Sequence, residues 1–196
     1  MKKILVPLVA LAMLLAFAPA ASAVTERPTI TGIVAASGGE FDNKGADFDI
    51  LLTAVLAAEL EGALADEAAS LTVFAPNDRA FIRTARDLGF EGTDEEGAWN
   101  FLVAAFTELG NGDPIPVLTN VLLYHVAPEK LGPIQVIFGG PIDTLLEGAT
   151  VQPRFLSLID NDPDIKNPRL NLRRMNIQAS NGVIHVINRV LIPINL

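Results

Sequence analysis

Apolar residues recur at helical spacing through the first half of the chain. In the segment 47–60 they lie three or four positions apart, at Phe48, Leu51, Leu52, Val55, Leu56 and Leu60. This spacing places them on one face and predicts an amphipathic helix over 47–60. Helices are also predicted over 29–37, from Asn77 or Asp78 to about Asp87, after the acidic run Asp94-Glu95-Glu96, and over 117–124.

After Pro128 the pattern changes to short apolar runs separated by glycine, proline and aspartate. Runs of this length and composition are typical of β-strands. An earlier run, Leu71 to Phe74, has the same character. Helices first and strands mostly afterwards indicate the α+β class rather than alternating strand–helix units. The later runs span 134–138, 144–146, 150–158, 170–179 and 183–192.

The last run lies within the sequence NGVIHVINRVLIP, Asn181 to Pro193. Asn181-Gly182 tolerates the positive φ angles of a tight type I′ turn, so it predicts the corner of a hairpin. The β-branched run Val183 to Ile192 suits a strand buried on both faces, and Pro193 ends its pairing because proline has no N–H. His185 is predicted to be a buried neutral imidazole bound to a backbone or side-chain group.

Three segments together resemble the conserved boxes of the fasciclin (FAS1) domain. They are LTVFAPNDRAF at 71–81, LTNVLLYHVAP at 118–128 and NGVIHVINRVLIP at 181–193, in the order of the first box, the Tyr-His box and the second box. The resemblance covers roughly Pro28 to Pro193. It implies a wedge or sandwich of short strands flanked by helices that come mainly from the N-terminal half. It also implies a non-catalytic module for adhesion or extracellular protein or glycan contact, and the design of the N-terminal segment described next is typical of a bacterial protein.

The first 23 residues are predicted to be a signal peptide. Lys2 and Lys3 precede an apolar stretch from Ile4 to Phe17, and Ala21-Ser22-Ala23 forms an A-x-A cleavage site. Residues 24–196 are then a single domain without a transmembrane segment, exported to the periplasm, the medium or the cell surface. Loss of the two lysines leaves 12 basic and 23 acidic residues, a net charge of −11. This acidity argues against nucleic acid or an anionic membrane as a partner, because either would be repelled at long range. The partner that the family resemblance implies is an extracellular or cell-envelope protein or polysaccharide.

Catalytic signatures are missing from the sequence. The chain has no cysteine and two histidines, and it contains no G-x-S-x-G, P-loop or G-x-G-x-x-G motif. We therefore predict neither an enzyme nor a bound cofactor. The alternative function is a carrier that holds a small apolar molecule in a cleft of about 300 Å³ or more between the helices and the strands.

The predicted partner-binding residues are Tyr124, His125 and Asn188. The family resemblance associates the Tyr-His pair with adhesion, although a histidine at a helix end is first of all a group that binds backbone carbonyls. Asn188 stands where the family usually has an aspartate, so a charge-dependent contact there is in doubt.

The favoured interpretation of the sequence includes no metal site. The segment Asp160, Asp162 and Asp164 is a calcium candidate because its carboxylates alternate as in the opening of a calcium loop. Ile165 stands where such a loop has glycine, and Asn171 where it has glutamate, so the favoured interpretation is an acidic hairpin loop.

Overall fold

A computed structural model of the chain describes residues 26–163 and 165–193. The predicted signal peptide, 1–23, lies outside these residues, as does Asp164. The helices are α1 Ile30–Ser37, α2 Asp49–Ala57, α3 Glu61–Ala65, α4 Asp78–Asp87, α5 Glu95–Leu109, α6 Ile115–Tyr124 and α7 Pro133–Phe138. The strands are β1 Leu71–Pro76, β2 Val126–Ala127, β3 Ile142–Asp143, β4 Thr150–Arg154, β5 Ser157–Ile159, β6 Ile177–Ala179 and β7 Gly182–Ile187.

Local capping explains where the helices begin. The Thr29 hydroxyl accepts a hydrogen bond from the Gly32 N–H at 3.2 Å before α1. The Asn77 side chain accepts from the Ala80 N–H at 3.1 Å before α4, and Asp94 accepts from the Gly97 N–H before α5. Each cap satisfies an N–H that has no partner within the helix. The predicted starts of these three helices are confirmed.

The predicted helix over 47–60 is shorter in the structure. It ends at Ala57, and Glu59 adopts a φ of +55°. A left-handed residue interrupts the helical path, and α3 then begins in a new direction at Glu61. The apolar spacing identified the helix correctly but did not reveal its end.

The main sheet has the strand order β2-β1-β7-β6. Strands β1 and β7 pair in parallel from Leu71↔Gly182 to Pro76↔Ile187, while β2 and β6 lie antiparallel at the two edges. Strands β3, β4 and β5 form a second, antiparallel sheet. A mixed sheet and a small antiparallel sheet, with most helices preceding them, confirm the predicted α+β class.

Alternating side chains of the central strands point to opposite faces of the sheet and pack into two separate hydrophobic cores. Val73 and Ala75 of β1 and Ile184 and Val186 of β7 pack toward the helices of the first half. Phe74 packs on the opposite side, with residues of α7 and the second sheet. The central strands are therefore buried on both faces, which explains their nearly continuous apolar sequence.

Several sequence predictions about the second half are wrong in detail, and the run 144–146 forms no strand. The hairpin turn is Ser180-Asn181 rather than Asn181-Gly182, because Ala179 pairs with Gly182, and neither residue of the predicted pair has a positive φ. The run 134–138 is helix α7 rather than a strand. Gly132 and Pro133 start this helix, and burial of Val136 holds it in place, so tertiary packing overrides the strand-like composition.

The β7 strand is also shorter than predicted, since it ends at Ile187 and the chain from 188 to 193 continues without ladder pairing. Among the helices of residues 26–163 and 165–193, none has the length and apolar character needed to cross a bilayer.

Gly182 is predicted to be essential for the β1–β7 pairing. A Cβ at this position would stand 2.2 Å from the Leu71 carbonyl oxygen and 2.9 Å from Ile30 Cδ1. The Gly182→Ala variant should lose about 3 kcal/mol of unfolding free energy, because backbone atoms must move apart. Urea unfolding measures this loss.

The matched control is Gly62→Ala in α3, where an added Cβ meets nothing within 4 Å. Its unfolding free energy should stay equal or rise by less than about 1 kcal/mol. Equal urea midpoints for Gly182→Ala and the unmodified protein would show that the close approach is not a constraint.

Candidate functional site

Tyr124, a predicted partner-binding residue, is the last residue of α6 and is fully buried. Its hydroxyl donates a hydrogen bond to the Thr150 carbonyl oxygen of β4 at 2.9 Å. Burial raises the pKa of this phenol, so it stays a neutral donor. Tyr124 therefore fastens the second sheet to the helix that carries it.

His125 follows directly and is also buried. Its Nδ1 lies 2.7 Å from the Val121 carbonyl oxygen, and its Nε2 accepts a hydrogen bond from the Leu191 N–H at 2.9 Å. An acceptor role for Nε2 places the proton on Nδ1, which donates to Val121. Burial lowers the pKa of His125 to about 4 despite the bond to Val121. The imidazole is neutral at pH 7, and both nitrogens are engaged.

His185 uses the opposite tautomer. Its Nε2 lies 2.9 Å from the Leu131 carbonyl oxygen, and its Nδ1 accepts from the Asn176 N–H at 3.3 Å. The ring is fully buried and stacks on Phe74 with centroids 6.1 Å apart. Burial lowers its pKa. The prediction of a neutral, internally bonded histidine is confirmed.

Asn188, the third predicted partner-binding residue, is half-buried just after β7. Its side-chain oxygen accepts from the Arg169 N–H at 2.8 Å, and its own N–H donates to the Arg169 carbonyl oxygen at 3.1 Å. Tyr124, His125 and Asn188 thus all hold backbone segments together. Their role in partner binding stays a prediction, and their burial gives it an indirect route.

The proposed calcium loop is anchored to the C-terminal segment. Asp160 accepts from the Ile192 N–H at 3.0 Å, and Asp162 accepts from the Ile165 N–H at 3.2 Å. Burial raises the pKa of Asp160 to about 6. These contacts fit the acidic-loop interpretation, and with Asp164 outside the described residues the three-ligand arrangement stays a prediction.

A different group of carboxylates meets where α2, α4 and α5 begin. One oxygen from each of Asp42, Asp47, Asp49 and Glu95 lies within 4.8 Å of the others. Asp49 and Glu95 are buried, and like charges at this distance repel by about 3 kcal/mol at an effective dielectric constant of about 20. Sequence reasoning missed this cluster because Glu95 is 46 positions after Asp49 and both of these acids also fit a helix start.

Exposed apolar side chains gather around the second sheet. Ile134 and Phe138 lie four residues apart on α7 and are 74% and 70% exposed, and Phe155, at the β4–β5 turn, is 64% exposed. The rings of Phe138 and Phe155 meet edge to face, with centroids 6.1 Å apart. We call Ile134, Phe138 and Phe155 the Phe138 patch. A cluster of large exposed apolar residues is typical of a contact surface.

The space between the helices and the main sheet is small. An apolar cavity lined by residues that include Val34, Leu51, Val73 and Leu122 has a volume of about 50 Å³. An apolar cavity must approach about 150 Å³ to hold even benzene. This cavity gives no support to the alternative of a small-molecule carrier, which needs a cleft of about 300 Å³ or more.

Comparison with known proteins gave three findings. Residues 46–193 match the Fasciclin domain family. Protein sll1483 of Synechocystis sp. (strain ATCC 27184 / PCC 6803 / Kazusa) is 34% identical over 146 residues, which cover 74% of this chain and 67% of that protein. A FAS1 domain pair from the insect cell adhesion molecule fasciclin I matches with a TM-score of 0.55 and 14% identity.

The fasciclin I match covers 85% of this chain and 51% of the insect chain, so this chain spans about half the length of that structure. At 14% identity the likeness is one of fold. The sequence match over 46–193 contains all three boxes, and the exposed Phe138 patch lies within the same range.

Because His125 is buried and neutral, we expect the free energy of unfolding to fall as the pH drops below 6.5. Its pKa in the folded protein, about 4, is below the unfolded value of 6.5, so between these pH values the unfolded chain binds a proton that the folded chain does not. Its contribution is complete above pH 6.5 and falls as the pH drops. From pH 7.5 to 5 the loss should be about 2 kcal/mol.

The His125→Asn variant, which keeps a donor near the position of Nδ1, should lack this loss. Urea unfolding of both proteins at the two pH values measures the difference. The buried carboxylates change stability in the opposite sense, but they are present in both proteins and cancel. Parallel pH profiles would contradict the assignment of a neutral buried His125.

Proposed function

Since the chain belongs to the fasciclin family, as its three boxes predicted, we propose that it is an exported, non-catalytic module for adhesion to extracellular or cell-envelope proteins. Fasciclin domains are often involved in adhesion or extracellular interactions. The observation that carries the proposal is the Phe138 patch.

The Phe138 patch has the composition of a contact surface. Aromatic side chains are enriched where proteins bind each other because they bury a large area with few rotatable bonds. Phe138 and Phe155 come from different elements, yet their rings lie against each other and face outward. Rings that pack edge to face restrain each other, so the apolar surface is ordered before a partner arrives, which lowers the entropy cost of binding.

Tyr124 supports the patch from below. Its hydroxyl holds the Thr150 carbonyl of β4, and the β4–β5 hairpin presents Phe155 at its turn. Val136 of α7 packs in the same apolar cluster as Tyr124 and Val151. The Tyr-His pair therefore acts in adhesion as a positioning element, not as the surface that touches the partner.

Charge favours a protein over an acidic polysaccharide. After removal of the predicted signal peptide the net charge is −11, so a polyanionic glycan is repelled at long range. An apolar protein surface has no such penalty. Binding at the Phe138 patch is driven by removal of apolar area from water.

The non-catalytic part of the proposal rests on the two histidines. His125 and His185 are buried, neutral and bonded at both ring nitrogens to backbone groups. Neither has a free nitrogen with which to take a proton from a substrate.

The adhesion prediction is tested with the mature protein, 24–196, immobilised on a surface. We expect cell-envelope proteins to bind, and a Phe138→Ser/Phe155→Ser variant to bind about tenfold more weakly because the apolar anchors are gone. Surface plasmon resonance with fractionated envelope protein measures the affinity. The control is Leu56→Ser, which removes a half-exposed leucine from α2.

Equal binding by the double variant, with its circular dichroism unchanged, would contradict the assignment of the patch. Binding to purified polysaccharide but not to protein would overturn the choice of partner. The Tyr124→Phe substitution removes only the hydroxyl. It should weaken partner binding in the normal protein but not in the double variant, because Tyr124 is proposed to act through the Phe138 patch. An equal loss of affinity in both proteins would contradict this role of Tyr124.

A further inference from the structure

We propose that Asp42, Asp47, Asp49 and Glu95 form a binding site for one calcium ion, which ties the starts of α2 and α5 to the loop between α1 and α2. One carboxylate oxygen of each residue lies within 4.8 Å of the other three. The site is separate from the Phe138 patch and from the Asp160 loop.

Unsatisfied oxygens are the first evidence that a ligand belongs there. Asp49 is 2% exposed and Glu95 is fully buried, and one oxygen of each has no hydrogen-bond donor. A buried carboxylate oxygen without a donor is costly, because it has lost water and gained nothing. A cation shared by these oxygens satisfies all of them at once.

The remaining oxygens are held in place by the backbone. Asp49 accepts from the Gly39 N–H at 2.6 Å, and Glu95 accepts from the Asn43 N–H at 2.8 Å. Asn43 adopts a φ of +63° and directs its own side-chain oxygen toward the Glu95 N–H at 3.4 Å. One oxygen of each buried acid is thus fixed by the loop, which leaves the other oxygen oriented and free.

The loop is also attached to α4. The Asp78 N–H donates to the Asp47 carbonyl oxygen at 3.2 Å, and the Arg79 N–H donates to the Gly45 carbonyl oxygen at 3.0 Å. Asp49, Asp78 and Glu95 are the first residues of their helices. The three helix N-termini neutralise part of the negative charge, but each is equivalent to only about half a positive charge. They therefore do not balance the charge of the four carboxylates.

Lys44 is the nearest basic residue on the loop. Its ammonium group pairs with Asp42, and its side chain is 75% exposed. It supplies a single positive charge at the edge of the cluster and does not reach the unpaired oxygens of Asp49 or Glu95. A divalent ion at the centre neutralises the buried pair, and Lys44 is free to turn into solvent.

The ligand chemistry favours calcium. All four side chains offer oxygen, the donor that hard cations select, and Ca²⁺ binds oxygens at about 2.3–2.6 Å. Oxygens that lie within 4.8 Å of one another are close enough to bind one such ion. Mg²⁺ usually keeps several waters and takes only one or two carboxylates, so a site with four carboxylates favours Ca²⁺. Asp42 is exposed and Asp47 is half-buried, so water can complete the coordination and the ion can enter from this side.

Terbium luminescence tests the site directly, because Trp99 is the single tryptophan and lies one helical turn after Glu95 on α5. Tb³⁺ added to the chelator-treated mature protein should emit when tryptophan is excited at wavelengths that tyrosine does not absorb. Calcium should displace it, with a dissociation constant of about 0.1–1 mM, typical of extracellular modules. Glu95→Gln and Asp49→Asn should each weaken calcium binding at least about tenfold.

Thermal unfolding gives the second readout. About 5 mM calcium should raise the midpoint of the chelator-treated protein by about 5 °C, compared with sodium chloride at the same ionic strength. Glu95→Gln should abolish this rise while equalling or exceeding the normal protein in calcium-free stability, because it removes a repelled charge. The control Asp160→Asn should keep the full rise.

Several results would overturn the proposal. The first is the absence of both terbium emission and a calcium-dependent rise in the thermal midpoint. The second is a rise in the midpoint that persists in both Glu95→Gln and Asp49→Asn. The third is a rise that Asp160→Asn abolishes but Glu95→Gln does not. An equal effect of magnesium would overturn the choice of calcium.

Discussion

The parallel pairing of β1 with β7 is the interaction on which the structure depends. It joins residues 71–76 to residues 182–187, more than a hundred positions later, and both strands are buried along their whole length. Asn181 secures the start of this pair. Its side chain accepts from the Ile30 N–H and donates to the carbonyl oxygens of Leu64 and Asp66, while its backbone oxygen accepts from the Leu71 N–H. One residue thus connects α1, the end of α3 and both central strands.

The two histidines also connect distant segments of the chain through hydrogen bonds to backbone groups. His125 links α6 to the segment after β7, and His185 links β7 to the chains at Leu131 and Asn176. Each ring binds backbone groups that lie outside the strand ladders. Because both rings are buried and neutral, the fold gains polar connections without a buried charge. Burial of the Tyr-His pair fits the proposed positioning role, in which neither residue touches a partner.

The acidic cluster and the Phe138 patch lie on different elements of the fold. The acids at the starts of α2, α4 and α5 face one another with buried, unpaired oxygens, whereas the Phe138 patch on the second sheet carries no charged side chain of its own. The proposed cation site joins elements of the helical half, and the patch presents an apolar surface beside the second sheet. The two features use different physical forces, so each can be changed by mutation without removing the other.

The sequence by itself determined the elements whose bonds are local. Thr29, Asn77 and Asp94 each cap a helix through an N–H three residues later, and apolar spacing marked the helices and the central strands. Tertiary structure alone decided the helical state of Pro133–Phe138, the turn at Ser180-Asn181, the burial of Tyr124 and the meeting of Asp49 with Glu95. The physical reason is the separation along the sequence of the residues that make each contact. A cap or a periodic face is complete within one segment, whereas burial and charge contact depend on which distant segment packs against it.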